Sequence, residues 1–344
     1  MQDRTQWPGF SDNGNRLLAL SRNLGEVIGV FAVFHPVKDD TNPLKIDYIK
    51  NNSANFSGLD NVESLVMKLG PPKWPWTLDA ALVSEGEKVF HKMDAQHGNR
   101  SCADCHGIKK GVTRSTTSEA WATPILDVGT DSKGILLLTS TVKTGILAGA
   151  PVLGKPGEVL KSEDYAFAVL KNVVGGAIFQ HYTSPLKHKL SVTEQEIQAE
   201  LLAESKADVR ADLSHTQSNI DVGSAEQLDA TFKTRQAETG GPFKYESRVL
   251  QGIWAAAPFL HNGSVPSLNE LLKPAADRVT EFRVGPTYDI ENVGLAVNQT
   301  KFDYVLKTTD CNQRSSGNSR CGHEYGTSFN SAEKRALLEY LKQL

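Results

Sequence analysis

The stretch Cys102-Ala103-Asp104-Cys105-His106 reads C-x-x-C-H, the attachment pattern for a c-type haem. The chemistry sets the spacing. Each thiol adds to one vinyl group of the porphyrin, and the two vinyls lie a fixed distance apart. The histidine follows at once, so the same turn brings its imidazole to the iron as proximal ligand. Two other chemistries use paired cysteines. A zinc knuckle needs a second pair at matching spacing, and the remaining cysteines, Cys311 and Cys321, do not form one. A thioredoxin-type redox pair sits in a βαβ pattern, which does not surround this stretch, and has no use for His106.

Outward from the motif, a helix is predicted to start near Thr77 or Asp79. Leu82, Gly86, Val89, Phe90 and Met93 then share one face at three- and four-residue steps. Gly86 costs helix propensity but lets another helix cross closely. The second clear helix runs from Asn330 to Leu344. Asn330 caps it, Glu333 reaches back as in a capping box, and Leu337, Leu338, Leu341 and Leu344 form its apolar stripe. The two helices are expected to cross, with Tyr340 or Leu337 near Gly86 and Phe90. Upstream, Pro71-Pro72-Lys73-Trp74-Pro75-Trp76 is a stiff boundary, since its prolines cannot continue a helix. Trp74 and Trp76 are expected at a haem edge, at a domain seam or in plain core packing.

The expected fold class is therefore mainly α. A cytochrome c-type haem domain covers residues 79–344, with a long loop-rich insertion at about 110–300. Residues 1–78 are read as an amino-terminal segment, the remnant of a preceding domain or an inter-domain packing layer. Within the insertion, Trp121 to Asp131 reads as an ordered loop with turn residues Pro124, Gly129 and Asp131. Ser162 caps a helix from Glu163 to Val174 that Gly175-Gly176 stops. A further helix is predicted from Thr193 to about Ala203, followed by a polar surface excursion over 204–242.

Apolar residues make up 39% of the chain and charged residues 22%, as in ordinary globular proteins. A net charge of −3 gives no support to nucleic-acid binding. The longest apolar run, Val27 to Phe34, is too short to span a bilayer. The amino end has no apolar signal core, yet covalent haem attachment in bacteria takes place outside the cytoplasm. The expected location is periplasmic or secreted, with the export signal removed or the chain forming part of a longer protein. Cys311 and Cys321 suit an oxidising compartment, where two surplus thiols pair.

The sixth ligand decides the function. Methionine makes a high-potential carrier, a second histidine a lower-potential one, and an open position binds oxygen or peroxide. The methionines are Met1, Met67 and Met93. None follows the haem motif, where a cytochrome c domain supplies its own, so methionine is disfavoured. Among the histidines, His35 precedes Pro36, His91 and His97 flank the motif, and His181, His188 and His215 have no distinctive setting. His261 sits in the turn Ala257-Pro258-Phe259-Leu260-His261-Asn262-Gly263-Ser264-Val265-Pro266. His323 sits in Cys321-Gly322-His323-Glu324-Tyr325-Gly326, where a bridge from Cys311 to Cys321 would hold it rigidly. His323 is the favoured distal ligand and His261 the alternative. An open iron, or a histidine that only hydrogen-bonds a propionate or the backbone, stays open as a further arrangement.

Arg248 to Leu272 (RVLQGIWAAAPFLHNGSVPSLNELL) resembles the signature of the bacterial dihaem peroxidase and MauG-like superfamily. Gly322-His323-Glu324-Tyr325-Gly326, with the terminal Leu337-Leu338-Glu339-Tyr340-Leu341-Lys342, resembles a narrower branch that includes the dihaem rubber oxygenases. The loop from Thr123-Pro124 to Val128-Gly129-Thr130-Asp131 is similar too. The resemblance implies two haems per chain: an amino-terminal one with an open site for the chemistry, and a carboxy-terminal one held by two histidines. Cys102, Cys105 and His106 then match the second haem's motif, His323 its distal histidine, and His261 the signature histidine near the haem. Arg248 and Trp254 lie in the signature and count among the expected haem-binding residues, with Trp254 or Trp121 at the haem edge. Relatives commonly hold Ca²⁺ between the two haems, which makes Ca²⁺ a second candidate cofactor beside one haem c.

The chain departs from that pattern in lacking a second C-x-x-C-H. The expectation is therefore a fragment, or a relative without the catalytic half. It is read as a bis-histidine c-type cytochrome that moves single electrons. Its partner would be a redox protein or a second haem domain, with neither nucleic acid nor a membrane span involved. The rival is a haem enzyme with an open iron, in which His261, Glu324 or Tyr325 would be the acid–base or hydrogen-bonding groups.

Overall fold

The computed structural model describes residues 16–66, 69–96, 98–107, 110–112, 119–121, 125–183 and 243–344. The helix expected at Thr193–Ala203, the polar excursion over 204–242, and His97, His188 and His215 lie outside these residues. The chain folds as two compact units, each assembled from separate stretches. One takes residues 1–69, 110–122 and 135–222, and the other takes 70–109, 123–134 and 223–344.

The mainly-α expectation is corrected. Among the described residues, six two-stranded antiparallel sheets stand between the helices, so the fold is mixed α and β. Each strand is two or three residues long, for example Val37–Lys38 on Ile46–Asp47 and Thr141–Lys143 on Glu163–Tyr165. A strand that short never completes the alternation that reveals a strand in sequence.

In the first unit, Leu20, Leu24, Tyr48, Phe56, Leu160 and Ile178 belong to the buried core. The helices Arg16–Glu26, Phe56–Val66 and Ala166–Thr183 contribute to it. The last of these corrects the reading of 163–174. Residues 163–165 are strand, and the helix runs straight through Gly175-Gly176 to Thr183. The glycines are packing positions. A Cβ on Gly176 would lie 2.5 Å from the Tyr48 ring, and one on Gly175 would lie 2.8 Å from Leu153.

The second unit is built around two crossed helices, Ala80–Phe90 and Ser331–Gln343. Asp79 caps the first by accepting from the Ala81 and Leu82 amides. Asn330 and Glu333 form a complete capping box on the second. Val89, Phe90, Leu337, Leu338 and Leu341 meet Phe259, Val265, Leu268 and Val293 in one core. Met93 is not on the buried stripe: the helix has ended by then, and the side chain is exposed. The crossing is tight at Gly86, where a Cβ would stand 2.0 Å from the Ala336 carbonyl oxygen and 2.7 Å from the Tyr340 Cβ. The Phe90 and Tyr340 rings lie 5.4 Å apart.

Gly86→Ala is therefore expected to destabilise. Alanine gains about 1 kcal/mol of helix propensity, but main-chain atoms of the partner helix must move, which costs about 1–3 kcal/mol or more. Urea unfolding should show a lower midpoint at unchanged slope. An unchanged or higher midpoint would show that the helices do not cross at this residue.

Trp74 and Trp76 belong to an aromatic cluster with Trp254 and Tyr288, in which the Trp74 and Trp254 rings lie 5.3 Å apart and Trp76 stacks on Tyr288 at 5.9 Å. Trp254 donates its indole N–H to the Pro72 carbonyl at 3.0 Å, and the Tyr288 hydroxyl donates to the Trp254 carbonyl at 2.7 Å. Among the described residues no helix is long and apolar enough to cross a membrane.

Candidate functional site

The C-x-x-C-H stretch is itself a short helix, Cys102–His106, started by a complete capping box. The Ser101 side chain accepts from the Asp104 amide, and the Asp104 carboxylate accepts from the Ser101 amide at 2.8 Å. The turn places Cys102 and Cys105 three residues apart on one face. Both thiols are free, Cys105 buried and Cys102 half-buried. Burial pushes the Cys102 thiol up to about 12. A reactive redox thiol carries the opposite shift, and Cys102 does not show it. Nor do three or more His, Cys, Asp or Glu side chains gather to hold a metal ion among the described residues.

His106 donates its Nδ1 hydrogen to the Arg248 carbonyl. A carbonyl only accepts, so the proton sits on Nδ1 and Nε2 is left with a lone pair, the state a metal ligand requires. Facing this ring is His323, with centroids 5.9 Å apart and planes inclined by 47°. Two imidazoles sharing one metal at about 2 Å from each nitrogen have centroids about 6 Å apart. The His323 Nδ1 is buried and has no hydrogen-bond partner. Desolvation, helped by the nearby His106 and Arg278, lowers the pKa of this imidazole to about 3, so the ring is neutral at physiological pH. A buried polar nitrogen without a partner is costly. Free thiols on one turn, the His106 imidazole protonated at Nδ1 and a neutral imidazole opposite together fit a covalently attached haem.

A Cys311–Cys321 disulfide closes the loop that ends two residues before His323. Asp131 accepts from the Gly317 and Ser319 amides at 2.9 and 3.1 Å. Asn262 and Ser264 both donate to the Ser319 carbonyl at 2.8 Å. His323 itself donates its amide to the Val128 carbonyl at 2.8 Å. Its φ of 51° lies in the left-handed region, which a non-glycine residue adopts only where surroundings hold it.

The ribbon formed by Ile125–Leu126 and Tyr245–Glu246 links the two histidines. Val128, which holds His323, lies just beyond one end. Arg248, which holds His106, lies beyond the other. The Arg248 contribution is thus its main-chain carbonyl.

His261 is not brought opposite His106. Its ring stacks on Tyr245 at 3.8 Å and 19°. The residue is exposed, yet desolvation by the atoms packed on its ring outweighs the nearby Asp131 and lowers its pKa to about 4. Glu324 accepts from the Ala275 amide at 2.7 Å, which makes it a main-chain brace. Tyr325 lies edge-on to His323 at 5.7 Å, and burial raises its pKa. Trp254 is held in the aromatic cluster described above.

Two residues went unremarked in the sequence. Tyr245 packs on the signature histidine, and its buried hydroxyl has no hydrogen-bond partner. Arg278 is 2% exposed and donates to the loop carrying His323. No local pattern marks either one.

Residues 244–283, which include Arg248, Trp254, His261 and Arg278, match the family described as RoxA-like, cytochrome c-like. The chain thus contains a cytochrome c-like region of RoxA type. A region of this type suggests a c-type cytochrome, with haem c as the implied prosthetic group. Such regions are typical of proteins outside the cytoplasm. The chain is also similar to the uncharacterized protein y4iJ of Sinorhizobium fredii, with 26% identity over 369 residues, covering 96% of this chain and 52% of that protein. It is similar to the uncharacterized protein y4iM of the same organism, with 37% identity over 98 residues, covering 27% of this chain and 22% of that one. The chain spans about half the length of y4iJ and less of y4iM.

Proposed function

We propose that this chain is a bis-histidine c-type cytochrome that takes up and releases single electrons. The observation that supports it most is the pair of facing imidazoles, His106 and His323, 5.9 Å apart beside two free thiols on one turn. Cys102 and Cys105 would hold the haem through thioethers, and His106 and His323 would ligate its iron. The haem supplies the one-electron change between ferric and ferrous iron. His106 is fixed in its Nδ1-protonated form by Arg248, and His323 is kept neutral by its surroundings. The main-chain hydrogen bonds of His323 to Val128 and Arg278 limit how far it can swing away, and this favours electron transfer over ligand binding. The partner is a second redox group, in a redox protein or in a haem domain of a longer protein, outside the cytoplasm.

The visible and EPR spectra of the purified holoprotein, oxidised and dithionite-reduced, with and without CO, test this reading. A low-spin spectrum that ignores CO is the expected result. A high-spin ferric signal with rapid CO binding would overturn it in favour of an open iron, and peroxide and O₂ chemistry would then be assayed.

A further inference from the structure

We propose that Arg278 is the latch of the distal ligand: a positioning residue whose guanidinium holds His323 in place and so keeps the sixth coordination position closed. The inference rests on the bis-histidine reading above.

A guanidinium carries five N–H donors in a rigid fork and no acceptor. In Arg278 all five are used, and every acceptor is a main-chain carbonyl. Nε donates to Lys273 at 3.1 Å. Nη1 donates to Arg320 at 2.6 Å and Gly322 at 2.8 Å. Nη2 donates to Leu271 at 3.2 Å and His323 at 3.1 Å. One side of the fork therefore grips the Leu271–Lys273 turn, which belongs to the core, and the other grips residues 320, 322 and 323. Glu270 and Glu324 lie near enough for their charges to act on the guanidinium, but no carboxylate takes one of the five hydrogen bonds.

The arrangement calls for a latch because the loop is strained where it matters. Gly322 and His323 are consecutive residues with positive φ, 78° and 51°. A non-glycine residue in that region relaxes unless it is held. The His323 amide is held by Val128 and its carbonyl by Arg278, so the residue is fixed on both sides of its Cα. Lysine cannot replace the fork: its three donors radiate from one point on a flexible stem.

The test uses the intact holoprotein. In Arg278→Met the hydrophobic stem is retained and the donors are lost. The expected result is a high-spin ferric fraction that is absent from the parent protein, and CO association with the ferrous form at least tenfold faster. Added imidazole should restore the low-spin spectrum. Arg278→Lys should also bind CO faster than the parent, since it keeps the charge without the fork. If Arg278→Met does not fold, the lysine variant carries the test alone. A folded variant as low-spin and as slow towards CO as the parent would overturn the latch, whereas a high-spin parent protein would overturn the bis-histidine reading itself. A purely structural role predicts a lower unfolding midpoint with no change in spin state or CO rate, and that outcome also counts against the proposal.

Discussion

His323→Ala is expected to turn a low-spin ferric spectrum into a high-spin one and to open the ferrous protein to CO, with haem content unchanged. Haem content should hold because attachment depends on Cys102 and Cys105, which sit on a separate capped helix. The change of spin state follows from the pairing of the His106 ring with that of His323. His261→Ala should leave the spin state unchanged. Its ring stacks on Tyr245, so its loss removes a stacking contact beside the ribbon. The two variants therefore separate the two distal candidates that the sequence left open. If His261→Ala alone produced the high-spin form, the assignment of His323 would be wrong, and the 5.9 Å pairing would be a packing contact between two histidines.

The parts of this molecule that sequence made legible are those whose information is local. The capping box at Asn330 and Glu333 and the apolar stripe behind it lie within one stretch, as does the C-x-x-C-H turn. The close crossing at Gly86 followed from one small residue on an apolar helix face. What stayed hidden depends on partners far away in the chain. Gly175-Gly176 reads locally as a helix stop, but Tyr48 and Leu153 fill the space that the missing side chains leave, and the helix continues to Thr183. The two- and three-residue strands exist because of their partners and carry no period of their own. Arg278 is a single arginine in a polar stretch, and its role appears only when five carbonyls from two segments converge on it. The turn around His261 suggested a ligand because it is apolar and sharp. Its partner, Tyr245, comes from the strand Tyr245–Glu246, and nothing near His261 in the sequence announces it.

Gly322→Ala is expected to be the most damaging small substitution in the second unit. Gly322 has a φ of 78°, and a Cβ there would lie 2.2 Å from the Gly129 carbonyl carbon, 2.3 Å from the Thr130 nitrogen and 2.6 Å from the Val128 oxygen. All three are main-chain atoms, so no rotamer change relieves the overlap. The two segments must separate, and the hydrogen bond from the His323 amide to Val128 goes with them. Left-handed backbone costs alanine about 1–2 kcal/mol, and overpacking against fixed atoms adds about 1–3 kcal/mol. Gly129→Ala is the control. Its φ is 81°, but a Cβ would meet only the Gly322 Cα, at 3.3 Å, so it should cost about the conformational part alone, about 1–2 kcal/mol. Urea midpoints of the two holoproteins measure the difference, and CO binding to the ferrous forms reports whether His323 has been released. A larger loss in Gly322→Ala, accompanied by faster CO binding, is the expected pattern. Equal losses with unchanged CO binding would mean that backbone conformation alone governs this turn and that the close approach of residues 128–130 to Gly322 does not hold the distal histidine.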